Sequence, residues 1–310
     1  MQITVSKSTP AVPATATARR LIRASVSPNT WRAYKTALRQ VDGFAGKRKL
    51  TDALFAEYLG KRFDDGVSPA TMRMHMAAVA FRHAHIGDGG KSPIGPLSKR
   101  VMVGAAREGA SRGRGQVDGL SWAAVDAAAA VAVKDGSLAG IRDAAVLLVQ
   151  SDAMLRVSEV AALDTTDLEN AGDGKGGTVT IRHSKTDAQG RGAVLFIRKR
   201  TLDAVALWKA ESGITDGALF RSVSRHGKLG KRISDRSVRR IVSKRAADAG
   251  AHGRISGHSA RVGGAENLCA AGASLPAMMQ AGRWRSVAMP AHYSRKVAAA
   301  SSAVAVFRPA

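Results

Sequence analysis

Gly282-Arg283-Trp284-Arg285-Ser286-Val287-Ala288-Met289-Pro290-Ala291-His292-Tyr293-Ser294-Arg295 is the stretch on which the reading of this chain turns. It carries Tyr293, one of three tyrosines in 310 residues, among arginines and a histidine. The other two, Tyr34 and Tyr58, fall on apolar helical stripes and read as core. Upstream, in order, come Arg156 with Glu159, then Lys185, then His258 with Arg261. Phosphoryl transfer without metal or nucleotide needs a nucleophile and several fixed cationic donors, and this set contains both. Arginine holds non-bridging phosphate oxygens in a planar fork that lysine cannot reproduce. His258 and Arg261 are three residues apart, so one helix face would present both. Nearby cations should favour the ionised form of the Tyr293 phenol or the transition state that it enters.

Taken singly, each residue has an ordinary explanation. Arg156 and Glu159 have the spacing of an exposed ion pair, which is common and weak. A lone histidine is more often a surface or satisfied core residue, a lysine beside a turn is a solvated charge, and a tryptophan is core. The conjunction, in this order, is what carries weight.

The balance of 48 Lys and Arg against 24 Asp and Glu gives a formal charge of +24. That charge points to a polyanion, because cations that neutralise phosphates release condensed counterions. Residues 1–116 hold 20 basic against 7 acidic residues, and the remainder 28 against 17, so both halves are basic, as two jaws on one polyanion would be. The single cysteine, Cys269, excludes an internal disulfide, and no Cys/His spacing of zinc type occurs. No metal or cofactor is expected. The chain has no uninterrupted apolar run of membrane-spanning length, so a cytoplasmic, nucleoid-associated location without membrane contact is expected.

Residues 1–26 read as a flexible basic arm with room for a short helical turn, and 27–108 as a helical DNA-binding domain. Ser27-Pro28 and Ser68-Pro69 have the form of an N-cap followed by proline, and helices also fit Thr51–Lys61 and Ser98–Arg107. Residues 109–118, with small residues concentrated at 109–115 and with Arg112 and Arg114, read as a linker along phosphates. A second domain, 119–310, opens with helix patterns at 121–134 and 140–151. It then changes period at Thr178–His183 and Ala193–Ile197, with turn chemistry at Asp187–Gly190 between them. Beyond residue 200 the pattern returns to helices with basic loops such as Arg221–Lys231. The expected fold is mainly α, with one small antiparallel sheet in the second domain. Helix 68–84, with Arg73, His75, Arg82 and His83, is either a groove reader or a solvated basic face.

From about residue 28 to 296 the chain resembles a tyrosine recombinase of the phage integrase family. Ala153–Leu163 fits that family's first arginine box, Gly257–Arg261 the second, and Gly282-Arg283-Trp284 with Tyr293 the terminal box. The resemblance implies a site-specific DNA recombinase with Arg156, Lys185, His258, Arg261, Trp284 and Tyr293 as the catalytic set and Glu159 orienting the arginine and histidine. It implies a 3′-phosphotyrosyl intermediate, formed without metal or ATP. Lys175 is the alternative to Lys185, since hairpin length varies. Only about 27 residues precede the helical region, so the likeness is to simple recombinases of the Cre or Xer kind. The implied partners are double-stranded DNA and three further copies of the chain in a tetramer. The apolar tail, with Val304, Val306 and Phe307, would then dock in trans on a neighbouring protomer; packing in cis is the alternative. Two other functions remain open at this point: relaxation of DNA by a type IB topoisomerase, and non-catalytic DNA binding.

Overall fold

The computed structural model describes residues 15–85, 91–113, 115–172, 174–182, 192–300, 302, 304, 307 and 308. Its contacts divide the chain into two compact units, Met1–Gly115 and Gln116–Ala310.

In the first unit, α1 (Ala16–Ala24) falls within the expected basic arm: Thr15 Oγ1 accepts from the Ala18 amide and starts a helix of nine residues. It is followed by α2 (Pro28–Ala45), α3 (Asp52–Asp64), α4 (Pro69–His85) and α5 (Pro96–Glu108). The Ser27 and Thr51 hydroxyls cap α2 and α3. Asp52 reaches across to the start of α5, where its carboxylate accepts from the Gly95, Leu97 and Ser98 amides. Burial raises the Asp52 carboxyl, but these bonds and the Ser98 hydroxyl outweigh it and hold the pKa down at about 2. A Cβ at Gly95 would meet that carboxylate, so this close approach requires glycine. Val41, Phe55, Tyr58, Leu59, Met72, Val79, Met102 and Ala105 form the core.

The second unit is built around α7 (Leu138–Asp152), buried from Arg142 to Ser151 and packed on α6 (Trp122–Lys134). The short α8 (Val157–Ala162) leads to β1 (Leu168–Asn170), β2 (Gly176–Ile181) and β3 (Ala193–Arg198), an antiparallel sheet in which Gly176 pairs with Arg198 and Ile181 with Ala193. After α9 (Lys199–Ser212), β4 (Arg221–Val223) and β5 (Leu229–Arg232) form a hairpin where the sequence suggested only a basic loop. The unit finishes with α10 (Asp235–Asp248), α11 (Ser259–Ala270), α12 (Leu275–Gly282) and α13 (Ala288–Ala300). Its main core joins α7, the sheet and α9 through Val149, Val179, Ile197 and Trp208. A separate cluster of Met154, Val262, Ala265, Met278, Trp284 and Tyr293 brings α11, α12 and α13 against the end of α7. Among the described residues no helix is long and apolar enough to cross a membrane.

Candidate active site

Arg156 is the N-cap of α8. Its amide donates to Glu159 Oε2 (2.9 Å) and its Nη1 to Glu159 Oε1 (2.7 Å), so one carboxylate caps the helix and aligns the arginine. The pair is not the exposed one that its spacing alone suggests: the Glu159 side chain is 2% exposed and that of Arg156 19%. Burial raises the Glu159 carboxyl, but the positive charges of Arg283 and Arg156 and the Arg156 amide bond hold it below its ordinary value.

His258 occupies the N-cap position of α11, and Arg261 follows one turn later with 1% of its surface exposed. Arg261 donates from Nη1 to Met154 O (2.6 Å) and from Nη2 to Gly282 O, and its guanidinium lies 4.8 Å from the Trp284 ring centroid. Burial, with repulsion from Arg156 and Arg283, pulls Arg261 down to about 9, so it still carries its charge at neutral pH.

Tyr293 projects from α13 into this group. Its hydroxyl is 2.9 Å from His258 Nε2, and its ring packs against those of His258, Trp284 and His292. The structure thus brings together Arg156, Glu159, His258, Arg261, Trp284 and Tyr293, which are spread over nearly 140 residues of sequence. Burial and the charges of Arg261 and Arg156 hold His258 down at about 4, leaving the imidazole neutral above that pH. For the Tyr293 phenol, the ionised form is not the favoured one. Burial raises its pKa, and the opposing pull of Arg261 and Arg156 is too small to reverse this. With His258 in the tautomer protonated at Nδ1, the buried neutral phenol has a proton acceptor in place without being ionised beforehand.

Lys185, Arg114 and the turn at 187–190 lie outside the described residues. The alternative lysine, Lys175, is exposed just before β2. In the first unit Arg73 is exposed, whereas Arg82 pairs with Asp42 (2.6 Å). Arg112 lies 3.7 Å over the Phe63 ring and donates to the Phe63 carbonyl. His75 does not face outward as a groove reader: it is 3% exposed and its Nδ1 is 2.7 Å from the Tyr58 hydroxyl.

Arg283, within the Gly282–Arg295 stretch, belongs to the same group of side chains, which the sequence alone does not reveal. Its Nη2 donates to Glu159 Oε2 (2.7 Å), making it the second arginine on that carboxylate. A third arginine beside the terminal tryptophan was the available signal, but nothing local tells whether such a side chain turns inward.

Among the described residues no group of His, Cys, Asp and Glu could hold a metal ion. Residues 125–299, more than half of the chain, match the profile of the phage integrase family. Recombinase Cre of Escherichia phage P1 is 29% identical over 159 residues, 46% of this chain and 46% of Cre; the match thus spans about half the length of that curated relative. Among solved structures, XerH site-specific recombinase bound to a palindromic difH substrate aligns with a TM-score of 0.68 at 14% identity, covering 92% of this chain and 83% of XerH. A lambda integrase dimer bound to a COC′ core site aligns at 0.59 and 14% identity, covering 90% and 75%. These likenesses show a shared fold, and with the extent of the profile match the chain belongs to the phage integrase family.

Proposed function

We propose that the protein is a site-specific DNA recombinase in which Tyr293 is the nucleophile. The observation that carries this is the Tyr293 hydroxyl, 2.9 Å from His258 Nε2 and within the electrostatic reach of Arg156 and Arg261. In the proposed reaction Tyr293 Oη bonds to the scissile phosphorus as neutral His258 takes the phenolic proton. The bond from phosphorus to the 5′ oxygen breaks, leaving a 3′-phosphotyrosyl link. The departing oxygen takes up a proton, for which Lys185 is the expected donor and Lys175 the alternative. Attack by the 5′-hydroxyl of a partner strand reverses the step. The phosphotyrosyl bond conserves the energy of the phosphodiester, so ATP is not required, and the arginines supply the positive charge to the transition state.

Double-stranded DNA is the proposed partner, in keeping with the charge of +24 and with the DNA-bound states of XerH and lambda integrase. Lambda integrase also occurs as a tetramer on a Holliday junction, which supports a tetramer for this chain. Val304 and Phe307, 66% and 83% exposed, suit a tail that docks on a neighbouring protomer. The first unit would bind DNA through Arg73 and other exposed basic residues, and the second would carry out the chemistry.

The test is a nicked suicide duplex carrying the site that the protein selects from a random DNA pool. A covalent protein–DNA adduct is expected with the native chain and none with Tyr293→Phe. Binding without an adduct would indicate a non-catalytic DNA-binding protein. Relaxation of any supercoiled DNA, without strand exchange between selected sites, would indicate a topoisomerase.

A further inference from the structure

Met154 (φ 47°) and Arg283 (φ 51°) are the non-glycine residues with left-handed backbones among the described residues, and they meet: Arg283 Nη2 donates to Met154 O (3.4 Å). Arg283 is the C-cap of α12, where its amide reaches the Met279 and Gln280 carbonyls. Glycine adopts this conformation at a helix end without steric cost, and a side chain here is strained. The Arg283 side chain must therefore offset that strain with contacts of its own.

Those contacts fall on one turn. Nη1 donates to Ala153 O (3.0 Å), and Nη2 to Met154 O and to Glu159 Oε2 (2.7 Å). Residues 153–159 form the turn that presents Arg156. On its other side Arg283 is joined directly to Trp284 and, through it, to the segment that delivers Tyr293. The guanidinium, with its side chain 12% exposed, thus bridges the Arg156 turn and the nucleophile-bearing segment. It also alters the local charge. Glu159 divides its oxygens between Arg156 and Arg283, so three arginines and one carboxylate leave two net positive charges beside Tyr293. With Arg283 absent, Glu159 would be balanced by Arg156 alone.

We propose that Arg283 is a positioning residue that holds the Tyr293 segment in register with the Arg156 turn through Ala153, Met154 and Glu159, and that it neutralises Glu159 so that Arg156 keeps its charge for the scissile phosphate. This role rests on the recombinase function, since the register matters only where Tyr293 must meet a phosphate held by Arg156.

Two full-length variants test it on the nicked duplex carrying the selected site. Arg283→Gly removes the bridge and relieves the left-handed strain, while Arg283→Lys keeps a charge without the fork. For Arg283→Gly we expect the DNA affinity of the native chain and, because the lost bonds are offset in part by relief of the left-handed strain, a melting temperature no lower than that of Arg156→Ala. Its single-turnover adduct rate should be about 100-fold lower, the scale of an ångström-sized misplacement. Arg283→Lys should recover part of that rate. Parallel loss of melting temperature and affinity in both variants would reduce Arg283 to a fold-stabilising residue, and undiminished adduct formation by Arg283→Gly would remove the role. A native chain that binds the duplex and forms no adduct would overturn the recombinase function and this role together.

Discussion

His258 Nε2 stands 2.9 Å from Tyr293 Oη, and the imidazole is held neutral there by burial and by the charges of Arg261 and Arg156. A histidine with its ordinary pKa near 6.5 would lose its acceptor role through the neutral range. Here that loss is displaced to about pH 4. Adduct formation on the selected duplex should therefore show no inflection between pH 6 and 7 from His258. Single-turnover rates across that range check this, and a fall centred near 6.5 would mean that the histidine is not held neutral.

The same shift is linked to stability. Between the unfolded pKa near 6.5 and the folded value near 4, the unfolded chain binds a proton that the folded chain refuses. Stability of the second unit should fall as pH drops through this window and level off below it. The expected size is up to about 3 kcal/mol, reduced by whatever solvent screening reaches the ring. Glu159, with its lowered pKa, adds a loss in the same direction as pH falls through its own folded value. The difference between the native chain and His258→Gln isolates the histidine contribution. Urea midpoints at pH 7 and pH 5 should converge for the variant more than for the native chain.

Glu159 supports two buried arginines, so removing it should cost more than removing either. Glu159→Ala leaves the guanidinium groups of Arg156 and Arg283 facing one another without a counter-charge. Loss of one partner from a buried ion pair costs about 3–5 kcal/mol. Chemical denaturation should give a loss in that range for Glu159→Ala and a clearly smaller one for Arg156→Ala, where Glu159 keeps Arg283. Equal losses would mean that Glu159 is not shared energetically as it is geometrically.

Arg156→Ala should separate binding from chemistry. The side chain is 19% exposed and anchored on Glu159; in the proposed reaction it stabilises charge at one phosphate and makes a small part of a +24 protein's grip on DNA. Affinity for the selected duplex, and its steep fall with salt, should stay near native, while adduct formation is abolished. Comparable losses of affinity and cleavage would remove that assignment.

Arg156, Glu159, His258, Arg261, Trp284 and Tyr293 stand out in the sequence and lie together in the structure, but how they are held was not legible. The boxes around Arg156, His258 and Tyr293 were legible because the chemistry demands particular residue types in a particular order. Burial of the Arg156–Glu159 pair was not, because an i,i+3 spacing is the same on an exposed and a buried turn, and here Arg283, more than 120 residues away, closes the lid on it. Arg283 escaped notice because its inward course depends on a left-handed backbone that favours glycine. The β4–β5 hairpin was hidden by its composition, since Arg221–Arg232 lacks alternating apolar residues and pairs mainly through its backbone. His75 looked like a surface base on a basic helix until Tyr58 supplied a buried partner.

Gly282 offers a test of how tightly the terminal box is packed. A Cβ at this position would run into the Trp284 ring, which is itself fixed between Arg261, 4.8 Å from its centroid, and Tyr293, 5.7 Å from its centroid. The Gly282 carbonyl meanwhile accepts from Arg261. A methyl group cannot be absorbed by backbone motion without disturbing that bond, so the indole must move. Gly282→Ala should cost about 1–3 kcal/mol by overpacking and slow adduct formation by displacing Arg261 and Tyr293. Trp284→Phe removes ring volume from the same place, so the double variant should regain part of the stability lost in Gly282→Ala. A double-mutant cycle by chemical denaturation measures this coupling directly. Strictly additive losses would show that the methyl acts through some contact other than the indole.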